Sequence, residues 1–374
     1  MGGAPAALRR RVTEAIAITL GAFAIVTTGL SLLHSKVWWI RIWDFPRLQV
    51  AAIGIAALAL WIATGPWKEG VSTIFTAGLT LAVAYQAGMI WRYTRLAPRE
   101  VQRAKHPAPD RGLSLVVSNV LQTNREADRL LDVLRGADAD VILCVETDDW
   151  WRTRLDAFRS THPHTLQCAL PNTYGMLLYS RFPLDDPTIE FLVERDVPSM
   201  QARVLLPSGI RVWLNCVHPR PPAPGEDSES TERDAELILV GKRVADSRDP
   251  VIVCGDLNDV AWSRTTRLFQ KISRLVDPRK GRGFVSTFHA KYPPLRYPLD
   301  HVFHSPDFRL IVMRRLSNVG SDHFPVHVAL SYEPAAAAEQ DAPTPTTEDK
   351  REAQQTAEEG LERGSDAGSS RRGG

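Results

Sequence analysis

Polar residues stand at the ends of six apolar runs in this 374-residue chain. Asn119 follows "LVVS", Glu146 follows "VILCV" and His218 follows "VWLNCV". Asp256 and Asn258 close "PVIVCGDLND", Asp300 opens "DHVF", and Asp322 and His323 lie in "SDHFPV". Any one of these alone is an ordinary turn former, helix cap or hydrogen-bonded histidine. Together they supply what metal-assisted hydrolysis of a phosphate ester needs. Carboxylate and carboxamide oxygens suit a hard cation such as Mg²⁺, and imidazoles move protons near neutral pH. The four cysteines, Cys144, Cys168, Cys216 and Cys254, show no short zinc or redox spacing. Three lie inside apolar runs and read as buried free thiols acting as small hydrophobes.

The elements that must position these residues are those of an α/β domain over 112–332. "LSLVVSNV", "VILCVE", "GMLLYS", "IRVWLNCVH" and "VIVCGD" are rich in β-branched residues and predict buried strands. Thr123 and Glu126 have capping-box spacing, followed by Ala127, Leu130, Leu131 and Leu134 on one helical face. A second helix is predicted over 231–245, with Ala235, Ile238, Leu239 and Lys242 on related faces. The elements interleave without a clean βαβ repeat, which points to mixed sheets. In such folds sites gather where strands emerge on one edge, and "HPRPP" at 218–222 reads as a rigid loop there.

The set "SNV", "CVE", "VHPRPP", "GDLND", "LDHVF" and "SDHFPV", in that order, resembles the endonuclease/exonuclease/phosphatase superfamily of DNase I-like enzymes, in a membrane-anchored bacterial branch. The resemblance covers 112–332, with "GDLND" and "SDHFPV" its most specific motifs. It implies a four-layer α/β sandwich of two facing mixed β-sheets flanked by helices, and a metal-dependent hydrolase of phosphate ester bonds. It implies that Glu146, Asn119 and Asp322 hold Mg²⁺ or Mn²⁺. His323 is then the general base or a phosphate contact, oriented by Asp300. Asp256 and Asn258 position water and phosphate, and His218 contacts phosphate or protonates the leaving group. Tyr174 and Arg203 are further candidate substrate contacts. Val145 stands where the family often has Gln.

Outside the domain the composition changes. Residues 1–96 read as a membrane anchor with three transmembrane helices at about 15–33, 48–64 and 71–91. Trp38, Trp39, Trp43, Trp61, Trp67 and Trp91 cluster near their ends, as in an interfacial belt. Arg9, Arg10 and Arg11 hold the N-terminus inside by the positive-inside rule, whereas Arg92, Arg95, Arg99, Arg103 and Lys105 argue for the opposite end, so the charges set no side. Residues 97–111 read as a linker, and 333–374, almost without large apolar residues, as a disordered tail.

The expected partners are the bilayer and a phosphate-ester substrate, either nucleic acid or a lipid phosphate. Lys and Arg total 45 against 43 Asp and Glu, a net charge of +2. That is not the marked basic excess of a non-specific nucleic-acid binder. It sets a lipid-phosphate or isoprenoid-pyrophosphate hydrolase modestly ahead of a nuclease. A non-catalytic scaffold would have lost some of the candidate residues, and all are present. A transporter is disfavoured because the three apolar runs carry no charge.

Overall fold

Near-continuous apolar runs imply strands covered on both faces. The structure, a computed structural model, describes residues 3–64 and 70–370 and puts these runs at the centre of two sheets. The first contains β1 (Gly112–Asn119), β2 (Val141–Val145), β3 (His164–Cys168), β4 (Met176–Ser180), β10 (Phe308–Arg315) and β11 (Val326–Tyr332), in the order β10-β11-β1-β2-β4-β3. The second contains β5 (Leu184–Glu190), β6 (Ser199–Leu205), β7 (Arg211–Cys216), β8 (Val251–Asp256) and β9 (Asp300–His304), in chain order.

Strand periodicity sorts the side chains of β1 and β8 between two cores. Leu115 and Val117 meet Ile252 and Cys254 between the sheets. Val116 faces outward to Leu130, Leu134 and Trp151 of α5 (Ala127–Ala137) and α6 (Asp149–Leu155). Val251 and Val253 face Leu237, Val240 and Phe269 of α7 (Thr231–Val244) and α8 (Arg264–Ser273). The result is helix, sheet, sheet, helix: the four-layer arrangement the sequence implied.

Two local expectations change. The Thr123–Glu126 capping box does not form: α5 has Glu126 at its N-cap with no side-chain bond from it. Instead Asn124 Oδ1 accepts from the Glu126 N–H at 3.0 Å, and the Glu126 carboxylate pairs with Arg129. The tail read as disordered contains α9 (Thr347–Ser370), laid on α7 and α8. It needs no large apolar residue because it makes close approaches. Ala353 and Ala357 pack with Ile238, Leu268 and Ile272, and a Cβ on Gly360 would meet Ala235 Cβ at 2.1 Å. Ion pairs from Lys271 to Asp349 and Arg363 to Glu229 flank the seam. Residues 371–374 lie outside the described residues.

Three N-terminal helices, α1 (Gly3–Leu32), α3 (Arg47–Thr64) and α4 (Val71–Ile90), include stretches long and apolar enough to cross a membrane, by length and composition: Ala7–Leu32, Arg47–Thr64 and Ser72–Tyr93. They pack together at Ala24, Val50, Ala57 and Leu79, and Gly54 lets Val83 approach its backbone. Between the first two lies the one-turn helix α2 (Trp38–Arg41), and this loop is built into the α/β domain. Trp38 N donates to Ser228 O at 3.0 Å, and Trp262 Nε1 to Asp44 O at 2.7 Å. After α4, Tyr93 donates its hydroxyl to Ala261 O at 2.6 Å. The segment read as a linker is also laid down on the domain. Val101 is fully buried, and Leu310 of β10 exchanges backbone bonds with Gln102 and Ala104.

Candidate active site

The parallel pairs β1–β2 and β7–β8 deliver the site, because parallel neighbours end on the same edge. Asn119 stands opposite Val145, so Glu146 emerges beside it. Cys216 stands opposite Cys254, which puts His218 near Asp256. Antiparallel β9 starts where β8 ends, making Asp256 and Asp300 direct cross-strand partners. Gly255 is obligatory here: with φ at +148°, an added Cβ would lie 1.8 Å from the Val217 carbonyl oxygen. Glu146 and Asn258 are both held at positive φ, 61° and 51°, turning their side chains out of the strand direction.

These positions produce one connected polar chain. Asn119 Nδ2 donates to Glu146 Oε1 at 2.6 Å and to Asp256 Oδ2 at 3.0 Å. Its Oδ1 accepts from the Leu121 N–H at 2.9 Å, so Asn119 orients two carboxylates and spends its oxygen on the backbone. Asp256 Oδ1 accepts from the Asn258 N–H at 2.9 Å, and Asp256 Oδ2 lies 3.5 Å from His323 Nε2. His323 Nδ1 is 2.8 Å from Asp300 Oδ2. Thr287 Oγ1 accepts from Asp300 N at 3.2 Å, and Phe288 covers the His323 ring at 4.9 Å between centroids.

Burial sets the charge states. Burial alone disfavours a charged His323, but Asp300 and Asp256 outweigh it and push the imidazole up to about 10. His323 therefore carries its proton at neutral pH. His218, fully enclosed, is pushed down to about 4 and is neutral. Its Nδ1 has no hydrogen-bond partner, and its ring lies 5.6 Å from that of Tyr174. Burial also raises Asp256, and lifts Glu146 to about 7, where Asp256 and Asp322 add like-charge repulsion against the Asn119 bond and His323.

Those raised carboxyls test the fit of a metal. Glu146 and Asp256 are joined through Asn119 Nδ2, the charge of half-buried Asp322 is felt at Glu146, and the buried Asp300 Oδ1 has no partner. A hard divalent cation matches that donor set. Asp256, Asp300 and His323 also lie close enough to share an ion, with one donor atom from each within 4.8 Å of the others. With His323 Nδ1 committed to Asp300, the same trio is equally arranged to hold a proton between imidazole and carboxylate.

Two candidates fall outside or beside the site. Arg203 is not in it: it pairs with Asp249 at 2.9 Å, at the start of β8, the end opposite Asp256. The antiparallel register of β6 carries it away, opposite Trp213. Tyr174 reaches the site with its ring only, since its hydroxyl donates to Glu226 at 2.8 Å. Asn258 is tied by Nδ2 to the Pro219 carbonyl at 3.0 Å.

The sequence reading missed the supporting cations. Arg220, within "HPRPP", covers the Tyr174 ring and bonds Glu194 at 2.8 Å, fixing the His218 loop. Arg233 donates to the Asn258 carbonyl at 2.8 Å and pairs with Asp259 at 3.3 Å. Asp259 was legible as the last residue of "GDLND"; Arg233 carried no local signal.

The profile of the Endonuclease/Exonuclease/phosphatase family matches residues 116–323. No curated protein matches the sequence. Among solved structures, zebrafish (D. rerio) TDP2 complexed with single strand DNA product is 17% identical, with a TM-score of 0.50 over 59% of this chain and 99% of that one. An endonuclease/exonuclease/phosphatase from Beutenbergia cavernae is 21% identical, with a TM-score of 0.49 over 60% of this chain and 72% of that one. The human Nocturnin catalytic domain is 15% identical, with a TM-score of 0.48 over 63% and 99%. At these identities the likeness is one of fold. From Val116 at the first strand to His323 at the last motif, the chain belongs to the endonuclease/exonuclease/phosphatase family.

Proposed function

We propose that the protein is a membrane-anchored, divalent-cation-dependent hydrolase of phosphate esters. One observation carries this reading: Asp256 is joined through Asn119 to Glu146 and lies beside the His323–Asp300 pair, so a proton-accepting carboxylate, an imidazolium and a cation-type donor set share one site. Glu146 and Asp322, with Asp256 beside them, would hold Mg²⁺ or Mn²⁺. Bound there, such a cation offsets the phosphate charge that repels an incoming nucleophile.

The residues of the chain do the rest. His323 has Nδ1 committed to Asp300, which fixes the ring and stabilises its positive charge. Its Nε2–H is 3.5 Å from Asp256, too long for a good hydrogen bond, and is available to a phosphate oxygen. Asp256, made more basic by burial, is placed to accept a proton from attacking water. The unpaired Nδ1 of neutral His218 offers a contact to phosphate or the leaving oxygen.

The near-neutral charge and the three apolar helices favour a lipid phosphate over nucleic acid. The test is full-length protein in detergent, assayed on bis(p-nitrophenyl) phosphate and on a panel of DNA, RNA, lipid phosphates and isoprenoid pyrophosphates. Turnover with Mg²⁺ or Mn²⁺ that stops in EDTA is expected; turnover indifferent to EDTA contradicts the reading. Glu146 must lose its proton to hold a cation, so the Mg²⁺ requirement should ease as pH rises through about 7. Glu146→Gln should abolish that pH dependence in a Mg²⁺ titration.

A further inference from the structure

We infer that the loop from His289 to Arg296 is a membrane-contacting lip of the site, and that the substrate is a phosphate ester carried on a lipid tail and taken from the bilayer surface. This rests on the proposed reading of the site and of the three helices.

The position comes from one hydrogen bond. Gln49 Nε2 donates to the Pro294 carbonyl at 2.6 Å. Gln49 lies in the first turn of the Arg47–Thr64 span, so Pro294 sits at the level where that helix enters the bilayer. Leu48, beside it, is exposed on the same turn. Phe45, just before the helix, packs edge-on against Tyr297 at 5.6 Å, which fixes the other end of the loop.

The loop is also a wall of the site. Ala290 N donates to the Asp322 carbonyl at 2.6 Å, and Phe324 N to the Thr287 carbonyl at 2.9 Å. Phe288, against the His323 ring, is six residues from Pro294. Six residues of chain span at most about 20 Å. The His323 ring, packed on Phe288, therefore lies within one short loop of the level of Pro294.

The composition suits that level. Tyr292 is 58% and Leu295 49% exposed, and both are large apolar side chains that the domain leaves uncovered. Exposed Lys291 stands beside them, giving the apolar tip one basic shoulder, while Arg296 folds back over the Phe324 ring at 5.2 Å. The backbone fits too. Pro293 and Pro294 have no N–H, Lys291 N donates to His289 Nδ1 at 3.2 Å, and Leu295 N to Tyr292 O at 2.9 Å. Those donors do not need water, as an interfacial tip requires.

The test uses one phosphodiester chemistry from two sources, with full-length protein in nanodiscs. p-Nitrophenyl hexadecyl phosphate is placed in the bilayer, and p-nitrophenyl methyl phosphate is supplied in solution. Wild type should cleave the embedded ester with a kcat/KM at least about tenfold higher. Tyr292→Ser with Leu295→Ser should erase most of that advantage while leaving the soluble ester within about twofold. Equal losses on both esters, or no wild-type preference, would overturn the inference. If neither ester is cleaved, the hydrolase reading falls, and lip placement is decided by a label. A nitroxide on Leu295→Cys is read in a Cys168→Ser background, the other three thiols being buried. Collision with oxygen and shielding from a water-soluble nickel complex are expected; free access to nickel overturns the lip.

Discussion

Arg41, in the loop between the first two apolar helices, donates from Nη2 to Asp259 Oδ2 at 3.2 Å, beneath the "GDLND" loop. Both side chains are buried. Arg41 also bonds Thr265 at 3.2 Å, and Arg233 closes the network by pairing with Asp259 while holding the Asn258 carbonyl. The N-terminal helices are thus wired to the backbone that places Asp256 and Asn258. Removing Arg41 takes one of two cations from buried Asp259 and leaves Arg233 on it, so the cost falls below the roughly 3–5 kcal/mol of a fully stranded charge. Arg41→Met should therefore lower the melting temperature of the detergent-solubilised full chain and reduce kcat with little change in KM. Arg41→Lys, which keeps the charge but loses the planar fork, should fall between. Unchanged melting and turnover in Arg41→Met would reduce this loop to a tether.

His323 owes its proton to its neighbours, chiefly Asp300. Its folded value of about 10 lies far above the ordinary 6.5, so the imidazolium persists across neutral pH. Replacing Asp300 by Asn removes the nearest negative charge and lowers the His323 pKa. The alkaline limb of the kcat/KM profile should then move down in pH, and turnover at pH 8 should drop by about 10²-fold or more. His323→Ala should abolish turnover without unfolding the chain. A pH profile in Asp300→Asn that superimposes on wild type would refute the pairing.

How much of this was legible depended on whether a residue's partner left a local trace. The strands announced themselves as apolar runs; Asn119, Glu146, His218 and Asp256 converge because parallel neighbours end on one edge, and Asp300 and His323 because antiparallel β9 and β11 start there. Arg203 looked eligible by type, yet register placed it opposite Trp213, at the end of the sheet away from Asp256; a strand run alone does not fix its direction in a sheet. The 333–374 segment has no large apolar stripe, but Ala353, Ala357 and Gly360 dock by small-residue approach, which composition does not advertise. Arg41 and Asp259 are 218 residues apart, and neither position hints at the other.

Glu236 supplies a pH test away from the site. It is 1% exposed on α7, accepts from Ser199 Oγ at 2.6 Å, and burial pushes its carboxyl up from 4.5 to about 8. The folded-state value is above the unfolded one, so between those pH values the folded chain holds a proton that the unfolded chain has released. Stability from this group is therefore present below about pH 4.5 and lost as pH rises toward 8. Glu146 and Glu194 act in the same direction, each raised to about 7, whereas His218 and His304, each lowered to about 4, act oppositely at lower pH. Comparison with Glu236→Gln isolates the one group, because the amide keeps the shape and never ionises. The variant should gain roughly 2–4 kcal/mol relative to wild type between pH 5 and pH 8. Denaturant unfolding of the solubilised full chain at the two pH values reads this directly, and parallel pH slopes for the two proteins would show that Glu236 is already ionised in the fold.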